Sequence, residues 1–246
     1  MRDRPSSGAS RYLLPRTGEG TGGEGASLFH VKHPAPDADR ARALALVPVS
    51  PEAEARLAIY VDLLARWRTV TNLISESSFA EVWTRHIADS AQLLPLAPDA
   101  RRWVDLGAGA GFPGMVIAIL LADVAGARVH CIDSDGRKCA FLREVARATG
   151  APAEIHAERV EAIAAESLLP VDAVVARAFA PLPRLVELAK VWIMHGAVGV
   201  FPRGRSAETQ LEALPAAPDL TIDTFASQLD PEATILRVRS RLKARS

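Results

Sequence analysis

The sequence predicts an α/β fold, doubly wound, with a mainly parallel sheet covered by helices on both faces and a helical extension at its N-terminal side. Three observations predict it. From Arg102 onward, short apolar runs alternate with amphipathic stretches. The first run, ending in Asp105, leads into a glycine-rich turn at Gly107, Gly109 and Gly111, with Pro113 opening a helix. The second run ends in another acid, Asp133. Strand and helix alternation at this spacing builds parallel β-α-β units, whose ligands bind at the carboxyl ends of the strands.

The chain has 246 residues and 49% of them are hydrophobic, enough for one large domain with an added helical piece. The formal net charge is zero, so a nucleic-acid partner must be held by local basic patches. The longest apolar run, Met115 to Ala122, is shorter than the about 18 residues a membrane span needs. The N-terminus lacks the apolar core of a signal peptide, so a cytoplasmic protein with no membrane partner is expected. Cys131 and Cys139 do not form a C-x-x-C pair and are expected to be reduced structural thiols, with no metal.

Residues 1–48 read as a disordered head. The stretch GEGTGGEGAS is polar and glycine-rich and HPAPDAD is turn-prone, so little apolar surface is available to offset ordering entropy. Within it, Phe29-His30-Val31-Lys32 can be written TTT CAC GTG AAA, a perfect inverted repeat that resembles the bacterial chromosome-partitioning site. Two-fold symmetric DNA-binding proteins read inverted repeats. The four residues are therefore read either as plain disordered chain or as residues that stand there because their DNA is a binding site, and the gene's codons decide between the two.

Residues 49–98 are expected to be helices packed on the main domain. Ser50 can cap, Pro51 suits the first helical position, and Leu57, Tyr60, Val61, Leu64 and Trp67 form one apolar stripe. A second helix is expected from about 78 to 94, ended by Pro95 and Pro98. The main domain, 99–246, is expected to hold strands at 102–106, 128–132, 153–156, 171–176, 196–201, 219–225 and 233–239. Helices are expected at 113–122, 135–149, 158–166 and 181–193.

The sharpest motif is VDLGAGAGFPG, residues 104–114. Glycines serve where the backbone turns tightly or a ligand approaches the main chain. Gly109, Gly111 and Gly114 also fit the dinucleotide fingerprint G-x-G-x-x-G, so a nicotinamide-dependent oxidoreductase stands as an alternative. A ribosome-binding protein with a vestigial cofactor site is a third reading. Asp133 can hold a ribose in either cofactor. Asp105 tilts the choice to S-adenosylmethionine, because a carboxylate before the loop suits a sulfonium ligand and would stand close to a pyrophosphate; it could equally order the loop's amides. Downstream, AERVEAI (157–163) would flank an adenine. Arg177 ends the fourth strand, as a ligand contact or as one half of an ion pair with a neighbouring acid, and Arg203 and Arg205 follow the fifth.

NLISESSFAEVWTRHIADS, VDLGAGAGFPG, CIDSDGRKCAFLREVA, AERVEAI, ARAFAPL and FPRGR, in this order, resemble the RsmG family over about residues 50–240. These are bacterial 16S rRNA guanine-N7 methyltransferases, also called glucose-inhibited division protein B. The resemblance implies a Rossmann-like class I methyltransferase, cytoplasmic and monomeric, acting on the small ribosomal subunit. It implies that Gly107, Phe112, Val160, Glu161 and Arg177 bind S-adenosylmethionine, with Asp133 on the ribose, beside Asp105, Gly109 and Gly111 of the loop. The substrate implied is a guanine in the decoding-region loop. Many members carry lysine where this chain has Arg203, which keeps the charge and changes the hydrogen-bond geometry.

Guanine N7 carries a free lone pair, so no general base is required, and catalysis would rest on alignment and electrostatics. Arg177 and Arg203 are the candidates for positioning the substrate. His86 and Asp89, three apart on a helix, could reach the cleft, although a satisfied structural histidine is the plainer reading. Arg237, Arg239 and Arg241 alternate near the C-terminus, as an RNA patch or a charged chain end.

Overall fold

Along each central strand, side chains alternate between two buried layers. A computed structural model describes residues 36–204, 207–212, 214 and 218–242. Strands β1 (Arg102–Leu106), β2 (Arg128–Ile132), β3 (Ala153–His156), β4 (Ala173–Val175), β5 (Val198–Arg203), β6 (Leu220–Ala226) and β7 (Thr234–Ser240) form one sheet, ordered β3-β2-β1-β4-β5-β7-β6. β1 to β5 pair in parallel, and β7 runs antiparallel between β5 and β6. Sheet order reverses between β1 and β4, which opens a crevice above their carboxyl ends.

Trp103, Val129, Cys131, Val175 and Val200 face a layer built by α2 (Pro51–Trp67), α5 (Gly114–Leu120) and α6 (Gly136–Thr149). Val104, Leu106, Ile132, Val174 and Phe201 face α7 (Leu182–Met194) through Leu182, Leu185, Trp192 and Ile193. This period-2 partition makes the sheet a layer apolar on both faces. Ser50 caps α2, its hydroxyl accepting from the Ala53 amide at 3.1 Å. Asp135 caps α6 through the amides of Arg137 and Lys138. No helix among the described residues is long and apolar enough to cross a membrane.

Three expectations are corrected. Part of the stretch expected to be disordered is helical: α1 covers Pro36–Leu46. Its Asp39 accepts the backbone amides of Trp83 at 2.8 Å and Thr84 at 3.2 Å, and its Ala43 joins the core. Composition in the head does not reveal a cap supplied to a distant helix. The single helix expected from 78 to 94 is broken into α3 (Glu76–Phe79), a π-helical turn (Trp83–Ala88) and α4 (Asp89–Ala91), the break coinciding with the amides Asp39 takes. Residues 158–166 form two short 3₁₀ turns rather than a helix. There the Trp192 indole donates to the Ala165 carbonyl at 3.1 Å, so a side chain satisfies a backbone acceptor in place of a helical ladder. Residues 1–35, which include Phe29–Lys32, and Arg205 lie outside the described residues. An eighth helix, α8, spans Ala207–Glu212.

Both cysteines are free and buried, and burial pushes both thiols up. The imidazoles of His130 and His156 lie 3.0 Å apart beside Glu154, which also pairs with Arg128. These three side chains lie together at the sheet edge, close enough to share a cation.

Candidate functional site

The turn after β1 is shaped by backbone conformation. Gly107, Gly109 and Gly111 have φ of +72°, +57° and +98°, a region that favours glycine. A Cβ on Gly107 would lie 2.2 Å from Cδ2 of Phe179, and one on Gly111 would lie 2.7 Å from the Tyr60 hydroxyl. At Gly109 the space is open, the nearest atom being the Gly107 carbonyl at 3.8 Å. One glycine thus permits close packing on each side, and the one between leaves main chain facing open space.

Two acids hold this turn. The Asp133 carboxylate accepts the Gly109 amide and the Asp135 amide, both at 2.8 Å. Asp105 is fully buried and accepts the Gly114 amide at 2.8 Å, while its second oxygen has no partner among the described residues. Burial pushes its carboxyl up to about 7, partly opposed by the Gly114 hydrogen bond and the charge of Arg177. Asp105 therefore orders the loop from below and does not line the cavity.

A cavity of about 560 Å³ lies over the crevice. Gly107, Gly109, Asp133, Val160, Glu161 and Arg177 line it, so six of the nine residues expected to hold a cofactor come together there. The other three, Asp105, Gly111 and Phe112, stand behind the wall. Gly111 is spent on packing, and the Phe112 ring faces the Arg177 guanidinium at 5.3 Å. Ser134, Lys138, Arg159 and Phe179 also line the cavity, and the sequence reading did not single them out for that role. Glu161 pairs with Arg184 at 3.0 Å.

Arg177 is fixed on several sides. Its guanidinium donates to the Arg85 carbonyl at 3.1 Å, to Asp89 at 3.2 Å and to His86 Nδ1 at 2.8 Å. His86 in turn stacks on Phe112, with ring centroids 4.7 Å apart. The ion pair and the ligand contact were alternative readings of Arg177; the geometry supplies the ion pair and still leaves the residue on the cavity wall. Burial, then the charges of Arg177 and Arg85, lower the His86 imidazole to about 3, so it is neutral. Burial is also the largest influence on Asp89 and raises its carboxyl against the pull of Arg177.

A second cavity, about 250 Å³, lies on the other side of Arg177, lined among others by Thr84, Asp89, Arg177, Arg203 and Asp230. Arg203 is 8% exposed, and burial lowers its guanidinium. Its Nη1 donates to the Ala180 carbonyl at 3.1 Å, and its Nε and Nη2 have no partner among the described residues. Buried donors left unpaired cost about 1–3 kcal/mol, so such a group marks a place where an acceptor is missing. Ala178, next to Arg177 in the turn after β4, has φ +52°, strain of the sort that gathers at functional sites.

Two of the C-terminal arginines are engaged. Arg237 and Arg239 both donate to Asp223, at 3.0 and 2.8 Å, and Arg237 also covers the Phe225 ring. Asp223 is held low by these contacts, Arg237 foremost. These two side chains are accounted for within the sheet.

Residues 53–229 match the GidB family, described as rRNA small subunit methyltransferase G. A ribosomal RNA small subunit methyltransferase G from Methylorubrum populi is 45% identical over 201 residues, covering 82% of this chain and 95% of its own. One from Nitrobacter hamburgensis is 50% identical over 174 residues, 71% of this chain and 67% of its own. Among solved structures, a putative O-methyltransferase from Klebsiella pneumoniae has the same fold at 16% identity, with a TM-score of 0.54 over 82% of this chain and 96% of that one.

Proposed function

Since the chain belongs to the GidB family of small-subunit rRNA methyltransferases, we propose that it methylates N7 of a guanine in the decoding-region (530) loop of 16S rRNA, by direct in-line attack and without a general base. The enzyme is an S-adenosylmethionine-dependent methyltransferase. The observation that carries the finer reading is that Arg177 lines two cavities at once, one built on the glycine turn and one that Arg203 also lines.

The residues of the larger cavity fit the cofactor. Its volume lies within the roughly 300–1,000 Å³ of small-molecule sites. The open backbone at Gly109 suits close approach of the ligand's amino-acid end. Each Asp133 oxygen already takes one amide and keeps a second lone pair for a ribose hydroxyl. Val160 and Glu161, on the turn after β3, would flank the adenine. When bound, the cofactor supplies an electrophilic methyl group.

The smaller cavity suits the base. Arg203, on the wall of this cavity, would turn its guanidinium to guanine O6 or to a neighbouring phosphate, giving its buried donors an acceptor. Arg177, whose outer nitrogens are held by Asp89, His86 and Arg85, fixes the wall between the two ligands and so sets their alignment. Holding reactants in line is worth roughly 7–11 kcal/mol in favourable cases. N7 has no proton to lose. Accordingly, the titratable side chains beside Arg177 are committed to holding it: His86 Nδ1 is occupied, and Asp89 is hydrogen-bonded to Arg177 and Gln92. The base must be unstacked to enter, which is easier in an RNA loop than in a helix.

The test is transfer of labelled methyl from S-adenosylmethionine to small subunits that lack the modification, with the product digested and mapped by mass spectrometry. Label at N7 of one guanine in the decoding-region loop is expected. Label on another atom or in another loop would overturn the assignment while leaving the family intact.

A further inference from the structure

The family match begins at residue 53 and the first described helix at Pro36, so the short motif Phe29–Lys32 precedes both. Its inverted repeat does not stop at four residues. Leu28 can be spelled with a codon ending in TG, and the codon of His33 begins with CA. Leu28–His33 can therefore be written TG TTT CAC GTG AAA CA, an inverted repeat of 16 base pairs without a mismatch. The two outer residues played no part in finding the inner repeat, and both extend it.

Residue choice points the same way. The chain has 29 basic residues, of which four are lysines and 25 are arginines. Arginine codons can be far richer in G and C than AAA and AAG, so this preference is the mark expected of a gene rich in G and C. Lys32 departs from that preference inside this hexapeptide, where the repeat needs AAA to mirror the TTT of Phe29. Only about one in a hundred of the synonymous spellings of Leu28–His33 gives the repeat, so the gene's codons are a sharp discriminator.

We infer that the DNA encoding Leu28–His33 is itself a binding site, read as a duplex by a two-fold symmetric DNA-binding protein of the chromosome-partitioning class. A perfect repeat of this length spans about one and a half helical turns and offers each half of a dimer the same major-groove pattern of donors, acceptors and thymine methyls. The gene segment then carries two messages, and its amino acids follow from the DNA sequence. The inference is independent of the methyl-transfer reading.

The first test is the codons themselves: TTT, CAC, GTG and AAA at 29–32, a TG-ending codon at 28 and a CA-starting codon at 33 are expected. Any other spelling of 29–32 overturns the inference. The second uses cells in which Phe29 is recoded to TTC and Lys32 to AAG, so that the repeat is broken and the protein is unchanged. Chromatin immunoprecipitation of the cell's partitioning protein should show a peak centred on this segment in the parent, reduced at least tenfold in the recoded strain, with rRNA methylation the same in both. Absence of a peak in the parent, or an undiminished peak after recoding, overturns it.

Discussion

Nη2 of Arg177 lies 2.8 Å from Nδ1 of His86. A guanidinium only donates, so Nδ1 accepts and the imidazole proton sits on Nε2, which is buried without a partner among the described residues. Burial and the adjacent cations lower this imidazole from 6.5 to about 3. A folded value below the unfolded one means that His86 contributes its full stability above pH 6.5. That contribution is lost as pH falls through 6.5 toward 3, because the unfolded chain takes up the proton first. Melting temperature is expected to drop across this window. His86→Gln keeps an acceptor for Arg177 and removes the titration, so its drop between pH 6.5 and 4 should be visibly smaller. An identical slope in both proteins would contradict the assignment.

Arg177 and Asp89 form a partly buried pair at 3.2 Å. Arg177→Ala takes the cation from Asp89, leaving it the Gln92 amide, and the donor from His86, and should cost about 1–3 kcal/mol in urea unfolding. Adding Asp89→Asn should restore part of that loss, because the stranded charge is removed. Strict additivity of the two changes would show that the pair is not coupled.

The glycine turn gives a contrast within one chain. Gly107 and Gly126 both have positive φ, +72° and +77°, yet a Cβ meets Phe179 at the first and nothing at the second. Alanine at either position should cost about 1 kcal/mol for backbone strain. Only Gly107→Ala should also weaken S-adenosylmethionine binding, by tenfold or more in calorimetry. Equal binding by the two variants would remove the turn from the site.

Strand positions were legible because a strand buried on both faces writes a dense apolar run: β1, β2 and β3 fall on the expected residues. The loop glycines were legible because positive φ restricts the residue type. Side-chain partnership across long sequence separations was not. Nothing local announces that Asp39 caps a turn at Trp83, or that Arg85, His86 and Asp89 hold an arginine some 90 residues further on. For the same reason Asp105, expected among the cofactor-binding residues, did not announce that it is buried and accepts the Gly114 amide. The helix expected after β3 followed from periodicity, which does not register a tryptophan indole claiming a backbone carbonyl.

Arg203 tests the account most directly. Its Nε and Nη2 are buried and unpaired among the described residues, and burial lowers its guanidinium. Arg203→Met should leave the melting temperature unchanged or raised, since a poorly solvated cation is replaced by an apolar side chain. The decisive measurement is single-turnover methyl transfer to saturating small subunits, beside the Kd for S-adenosylmethionine. The account predicts a rate lower by about 10²–10³-fold with cofactor affinity unchanged. Full transfer by Arg203→Met, or a loss explained by weakened cofactor binding, would contradict the placement of the guanine beside Arg203.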